Sequence, residues 1–264
     1  MGSLLSIVVA ALAGGVLSTL AAAATLRLAS SWIPRLVSFA VGALLGAVFL
    51  ELLPHALEDG DVHYVMSIVL IGLLAFFLLE KLVLWRHVHG HEHHADHEDE
   101  SEHDHAMHRD ATIDGGRPGL MILIGNSVHN FCDGVVIAAA FLADHALGIA
   151  TTIAIVAHAV PQQIGDFAVL LHSGFGRAKA FTFNVAAGFA TLVGALAAYV
   201  ALAGMERVLP TVLAIAAASL LYVAVADLIP SLHRRPEPIE TARQILLIGL
   251  GLAAIGIAHV AFQD

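Results

Sequence analysis

Residues 65–79 read VMSIVLIGLLAFFLL, a run of apolar residues without a single charge. The apolar stretch around this run covers 63–86, long enough to cross the roughly 30 Å hydrocarbon core of a bilayer as a helix. Further stretches of similar character are continuously apolar and far longer than a spanning strand of about 10 residues, so we expect helices there too. They are 4–26, 33–54, 118–142, 147–172, 181–204, 208–230 and 242–262.

The composition also indicates a membrane protein. Hydrophobic residues make up 58% and charged residues 13% of the 264 positions, and the mean hydropathy is +0.83. Soluble domains have about 45–50% apolar and about 25% charged residues. The 12 basic residues are scattered and form no patch for nucleic acid, so we expect the lipid bilayer as partner. We predict an all-α polytopic membrane protein in which 1–264 form one membrane domain with eight transmembrane helices.

Basic residues predict the orientation, because cytoplasmic loops of membrane proteins are enriched in Lys and Arg. Eleven of the 12 basic residues lie in or beside the odd-numbered loops, and Arg207 is the exception. Odd loops are therefore expected in the cytoplasm and both termini outside, in the plasma (inner) membrane of a bacterium.

A short internal repeat emerges when Pro54 is aligned with Pro230. The segment 51–54 (ELLP) then matches 227–230 (DLIP). The second span runs outward and the seventh inward under the charge rule, so the repeat is an inverted one. Such repeats are common in secondary transporters.

Two adjacent spans contain ionisable groups at depths where each costs about 2.5–3.5 kcal/mol. His129 and Asp133 are four residues apart in span four and therefore share one face of the helix, with Asn130 close by. His158, Gln162 and Asp166 form a second stripe in span five. Helix adhesion through hydrogen bonds explains one such pair, but not two full stripes. Imidazole, carboxylate and carboxamide groups together favour zinc or a neighbouring divalent ion over calcium.

These motifs resemble the metal-binding core of the ZIP (Zrt/Irt-like) divalent metal transporters. The similarity rests on HNFCDG at 129–134 and on HAVPQQIGD at 158–166. It is closest to the branch whose fifth span reads HExPQExGD. The resemblance implies eight helices in a 3+2+3 arrangement, uptake of Zn²⁺ (or Fe²⁺, Mn²⁺, Co²⁺ or Cd²⁺) into the cytoplasm, and a homodimer. It implies metal ligands at His129, Asn130, Asp133, His158, Gln162 and Asp166.

The chain departs from the family pattern at Ala159 and Gln163, where glutamate is usual. Two negative charges are missing beside the His158 stripe, so the second of two metal positions in the family core is in doubt. Four polar residues outside these ligands are candidates for the transport path: Glu51, His55, Gln163 and Asp227. His259, a lone histidine in span eight, is interpreted as a helix-packing residue.

The third loop is rich in histidine and acidic residues and almost free of apolar ones. Such a segment cannot bury a core, so 87–117 are predicted to be a disordered cytoplasmic loop that captures metal weakly. The histidines concerned are His87, His89, His91, His93, His94, His97, His103, His105 and His108.

Three other functions compete with transport into the cytoplasm. An intramembrane zinc-dependent hydrolase needs a metal with an open position, but no H-E-x-x-H motif is present. A cation-diffusion exporter shares the His-x-x-x-Asp spacing but has six spans. A transport-impaired metal-binding or sensor protein is the third, because of the missing glutamates at 159 and 163. We expect a transporter and not an enzyme.

Overall fold

The computed structural model describes residues 2–25, 32–58, 60–88, 117–233 and 237–262. Every regular element within these ranges is helical. The long helices, named here in chain order, are α1 (Ser3–Ala24), α2 (Ile33–Glu58), α3 (Val62–Val88), α4 (Arg117–Ala143), α5 (His145–His172), α6 (Arg177–Leu202), α7 (Glu206–Leu232) and α8 (Pro238–Phe262).

The helices agree with the predicted spans to within a few residues. Of the described residues, seven helices are long and apolar enough to cross a membrane, and α4 is not among them. α4 has 27 residues, enough to cross a membrane, and has Asn126, His129, Asn130 and Asp133 in its middle. The chain is thus a polytopic membrane protein whose described residues form helices and no strands. The predicted loop at 87–117 lies outside the described residues, apart from His87 and Val88 in α3 and Arg117 in α4.

Two helices contain a π-helical segment at the position of the internal repeat. The segment in α2 is Ala47–Leu52 and the segment in α7 is Val223–Leu228. Both are followed directly by α-helix with proline near its start, at Pro54 and Pro230. The sequence repeat therefore extends to the backbone, since aligning the two prolines superimposes the two π segments residue by residue.

Glycines bring neighbouring helices into close contact around the centre of the fold. A Cβ atom added to Gly134 of α4 would lie 1.9 Å from the carbonyl oxygen of Thr191 in α6. A Cβ atom on Gly42 of α2 would lie 2.0 Å from the carbonyl oxygen of Ile248 in α8. Any larger residue would force these helices apart, and such close contacts at small residues are common between transmembrane helices.

The helices differ in how much of their apolar surface the fold itself covers. In α2, 72% of the most apolar window is buried, whereas in α3 the buried share is 11%. α2 is therefore an inner helix, and α3 lies at the edge with exposed apolar side chains that include Leu74, Phe77 and Leu78. Such a surface is suited to lipid.

Candidate metal centre

Helices α4 and α5 bring three ligand side chains together in the interior of the fold. His129 and Asp133 lie one turn apart on α4, as their i, i+4 spacing predicts. His158 faces them from α5. In the described part of the chain, each of these three residues offers one ligand atom, and the three atoms all lie within 4.8 Å of one another.

The three ligand atoms form a nearly equilateral triangle. Nε2 of His129 lies 3.3 Å from Nε2 of His158. Each of these nitrogens lies 3.5 Å from Oδ2 of Asp133. In a tetrahedral zinc site with bonds of about 2.0–2.2 Å, neighbouring ligand atoms are about 3.3–3.5 Å apart. The side chains therefore already have the spacing of one face of a zinc tetrahedron.

The tautomer of His158 suits metal binding. Its Nδ1 donates a hydrogen bond to the carbonyl oxygen of Ala154, one turn earlier in α5, at 3.2 Å. The proton of a neutral ring is then on Nδ1, and the lone pair of Nε2 is directed at Asp133 and His129. A backbone carbonyl that orients a ligand histidine in this way is a common second layer around metals.

Because Asp133 is buried, its negative charge requires a positive charge nearby. Asp133 and His158 are 2% and 1% exposed, respectively, and the side chain of His129 is 23% exposed. The site thus reaches the exterior of the protein on the His129 side. An ionised carboxylate at this depth is costly unless a positive charge accompanies it, and a bound divalent cation supplies that charge.

Two predicted ligands, Asn130 and Gln162, take part in an amide network beside the triangle. Nδ2 of Asn130 and Nε2 of Gln162 both donate to Oδ1 of Asn126, at 3.2 and 3.1 Å. Their oxygen atoms are thereby turned away from Asn126. Asn126 was missed by the sequence analysis, although its spacing of four residues from Asn130 was a usable signal. The network ties α4 to α5 next to the metal triangle.

The neighbouring face of α5 is buried but lacks carboxylates at two positions. Ala159 and Gln163 are 2% and 1% exposed. The backbone oxygen of Gln163 accepts a hydrogen bond from Asn184 of α6 at 3.5 Å. Asp166 lies outside the triangle, and its Oδ2 is buried without a hydrogen-bond partner in the described residues.

The predicted path residues differ in burial and in their partners. Asp227 of α7 is exposed and close enough to His129 and His158 to interact with both electrostatically. Glu51 of α2 is fully buried. The imidazole of His55 donates to the backbone oxygen of Glu51 and not to its carboxylate.

Comparison with known proteins identifies the family. Residues 84–259, two thirds of the chain, match the family described as ZIP zinc transporter. The chain belongs to the ZIP family. The matched region includes α4 and α5 and all three residues of the triangle, so the resemblance seen in the motifs is confirmed.

Individual ZIP proteins are similar over most of the chain. Zinc transporter ZIP13 of Pongo abelii is 30% identical over 86% of this chain and 67% of its own length. Zinc transporter SLC39A7 of Mus musculus is 29% identical, over 85% and 62%, and the ZIP13 homolog of Drosophila melanogaster is 30% identical, over 86% and 78%. The family consists of transporters, which confirms the prediction that this chain is not an enzyme and argues against the hydrolase.

Proposed function

We propose that this ZIP protein moves zinc, or a related divalent transition metal, across the membrane into the cytoplasm through the His129–Asp133–His158 triangle. The observation on which the proposal rests most heavily is the spacing of the three ligand atoms, 3.3 and 3.5 Å. Family membership supports the chemical class of the substrate, since the relatives compared are named as zinc transporters. No organic cofactor enters the proposal.

The remaining coordination position of the metal is assigned to water or to a residue beside the triangle. Three protein ligands leave one position of a tetrahedron for water or for an amide oxygen of Asn130 or Gln162. An incompletely caged ion exchanges more readily than one in a closed structural site, which suits an ion that must leave again. Asp166, Gln163 and Asp227 on one side, and Glu51 and His55 on the other, line the proposed path.

For the membrane arrangement we propose eight spans, with α4 counted as the fourth, in a 3+2+3 inverted repeat. The matching π segments of α2 and α7 support the repeat. The distribution of basic residues supports a cytoplasmic third loop, in which the histidines capture metal, and termini on the outside. A homodimer and a bacterial inner membrane stay predictions, and the relatives compared are animal proteins.

A metal-binding protein with impaired transport is the second candidate. The buried, uncharged side chains of Ala159 and Gln163 favour it, because they leave Asp133 as the one carboxylate of the triangle. The triangle then holds one divalent ion, and this face of α5 offers Asp166 alone where glutamates at 159 and 163 would add two further anionic positions.

Zinc flux into liposomes separates the two candidates. The full chain is reconstituted with a zinc-sensitive dye inside the vesicles, and zinc is added outside. We expect a rise in dye signal for the wild type and its loss in His158→Ala. The matched control is His172→Ala, which removes an exposed histidine whose hydrogen bond in the described residues goes to the carbonyl of Ala168 in its own helix. Zinc binding without any flux in the wild type would favour the second candidate.

A further inference from the structure

An open apolar groove runs between α4 and α6 on the outside of the fold. Its volume is about 660 Å³. The side chains along its walls include Leu123, Val128 and Phe131 of α4 and Ala186, Ala190 and Val193 of α6. Ser127 also lines the groove, but its hydroxyl donates to the carbonyl oxygen of Leu123 in its own helix, at 2.7 Å. The groove therefore offers a ligand an almost entirely apolar surface.

The groove faces away from the metal triangle. Ser127 and Phe131 line the groove, and each lies two residues before a metal ligand, His129 or Asp133. Two residues correspond to a rotation of about 200° around an α-helix, so the groove and the ligands are on opposite sides of α4. The groove is therefore separate from the site proposed for zinc.

A lysine lies at one end of this groove. Lys179 is exposed in the first turn of α6 and lies about four turns before Val193, on the same face of the helix. Its Nζ is 5.2 Å from the ring centre of Phe175 and 5.6 Å from that of Phe183. Phe175 in turn reaches the start of α4, since a Cβ atom on Gly119 would lie 2.7 Å from its ring. The ammonium group is therefore at the end of the groove at which α4 and α6 begin.

The positive charge of Lys179 is not neutralised by the fold. Within the described residues, the ion pairs leave Lys179 without a carboxylate, and the segment 167–205 contains neither aspartate nor glutamate. Arg177, two residues earlier and also exposed, adds a second positive charge at this helix end. An apolar groove that ends in unpaired cations is complementary to a molecule with an apolar chain and an anionic head.

The length of the groove and its lysine matches one leaflet of a bilayer. The fourteen residues from Lys179 to Val193 rise about 21 Å along α6. Half of a bilayer of about 40–45 Å, headgroups included, is about 20–22 Å thick. A phospholipid with its phosphate beside Lys179 therefore has its acyl chain along the groove. Basic pockets between membrane helices on the cytoplasmic side bind acidic headgroups, and the basic residues predict the cytoplasm at this end of α6.

We propose that the groove between α4 and α6 binds one anionic phospholipid, with an acyl chain between the two helices and the phosphate beside Lys179. The bound lipid packs on the back of the helix that holds His129 and Asp133. The proposal goes beyond the proposed function and does not depend on zinc transport.

Native mass spectrometry of the purified full chain in detergent tests the charge at Lys179. Dioleoyl phosphatidylglycerol and dioleoyl phosphatidylcholine have the same acyl chains, but only the first has a net negative charge. We expect the wild type to hold one phosphatidylglycerol about fivefold more tightly than phosphatidylcholine, and Lys179→Gln to lose this preference. The matched control is Lys81→Gln on α3, which removes an exposed lysine that likewise lies over a ring, 5.9 Å from the centre of Phe77. It should keep the preference.

A second variant tests the apolar part of the site. Ala186 is exposed in the wall of the groove, so Ala186→Trp fills the groove without disturbing the core. It should weaken binding of both lipids, whereas Ala253→Trp, at an exposed alanine of α8, should leave binding unchanged.

Three results would overturn the proposal. The first is equal affinity of the wild type for the two lipids, and the second is an unchanged preference in Lys179→Gln. The third is an Ala186→Trp variant that dissociates a dimer and binds lipid as the wild type does, because the groove is then an interface between two copies. Zinc flux does not enter this test, so a wild type that moves no zinc would contradict the proposed function alone.

Discussion

Nε2 of His129 in α4 and Nε2 of His158 in α5 lie 3.3 Å apart. In the absence of a metal, one of these nitrogens donates to the other, and a metal ion between them accepts both lone pairs when each neutral ring carries its proton on Nδ1. The Nδ1 bond of His158 to Ala154 fixes that ring in the orientation required. This contact between two helices, with Asp133 beside it, is the basis of the predictions that follow.

The first prediction concerns Asp133, the one carboxylate of the triangle. Replacement by alanine should weaken zinc binding by at least about 100-fold, because a buried cation loses its opposite charge. Asp133→Asn should weaken it severely as well. At zinc concentrations of about 100 times the Kd, binding stabilises a protein by about 2.7 kcal/mol, which raises the unfolding midpoint by about 5–10 °C. That rise should vanish in both variants.

The control for Asp133 is Glu240→Gln. Glu240 pairs with Arg243 at the surface end of α8, at 2.6 Å, and surface pairs contribute little. The variant should keep the full zinc-induced shift. An undiminished shift in Asp133→Ala would mean that the tight zinc site lies elsewhere.

The second prediction concerns the number of ions in the core. Two divalent ions near Asp133 and Asp166 would leave about two positive charges uncompensated in a low-dielectric interior. We therefore expect one tightly bound zinc per chain once the histidine-rich loop is deleted. Glutamate at both 159 and 163 should permit a second ion, because both positions are buried beside the ligand stripe.

Elemental analysis of the purified, loop-deleted protein measures this stoichiometry. The matched control is Ala159→Gln, which adds similar bulk at 159 and leaves Gln163 in place, without charge. Two tightly bound ions in the core that lacks both glutamates would show that the charge argument is wrong.

How much of the structure could be predicted from the sequence depends on the kind of interaction. The helix bounds follow from local hydropathy, and the pairing of His129 with Asp133 follows from helical spacing. The contact of His158 with Asp133 depends on how α4 packs on α5, and both the two polar stripes and the family resemblance anticipated it.

Contacts between residues far apart in the chain were harder to predict from the sequence. Glu51 and His55 are four residues apart in the sequence, but the carboxylate of Glu51 contacts His259, which lies near the other end of the chain. His259 was interpreted as a satisfied packing residue, and its partner was not identified. The role of Asn126 was missed, although its spacing of four residues from Asn130 places both side chains on one face of α4.

The third prediction concerns the loop. Deletion of 89–108 should leave zinc flux intact, because the ligands proposed for translocation lie in α4 and α5. The number of weakly bound metal ions per chain should fall, since the loop histidines are lost. Equilibrium dialysis against zinc measures the binding, and vesicle flux measures the transport. Complete loss of flux in a folded deletion variant would place an essential ligand in the loop.

The fourth prediction is topological. A reporter fused at residue 97 should signal from the cytoplasm, and a reporter at the C-terminus should signal from the outside, because 11 of 12 basic residues lie on the odd-loop side. Paired fusions with enzymes active on only one side of the membrane make the measurement. Two signals from the same side would contradict the eight-span arrangement.

The measurement closest to the central claim is zinc flux through vesicles that contain wild type, Asp133→Ala or Glu240→Gln. All three proteins are reconstituted at equal amounts, and zinc entry is followed with a dye trapped inside. The account predicts flux for wild type and Glu240→Gln and none above empty vesicles for Asp133→Ala. Flux through Asp133→Ala at the wild-type rate would contradict a route through the His129–Asp133–His158 triangle.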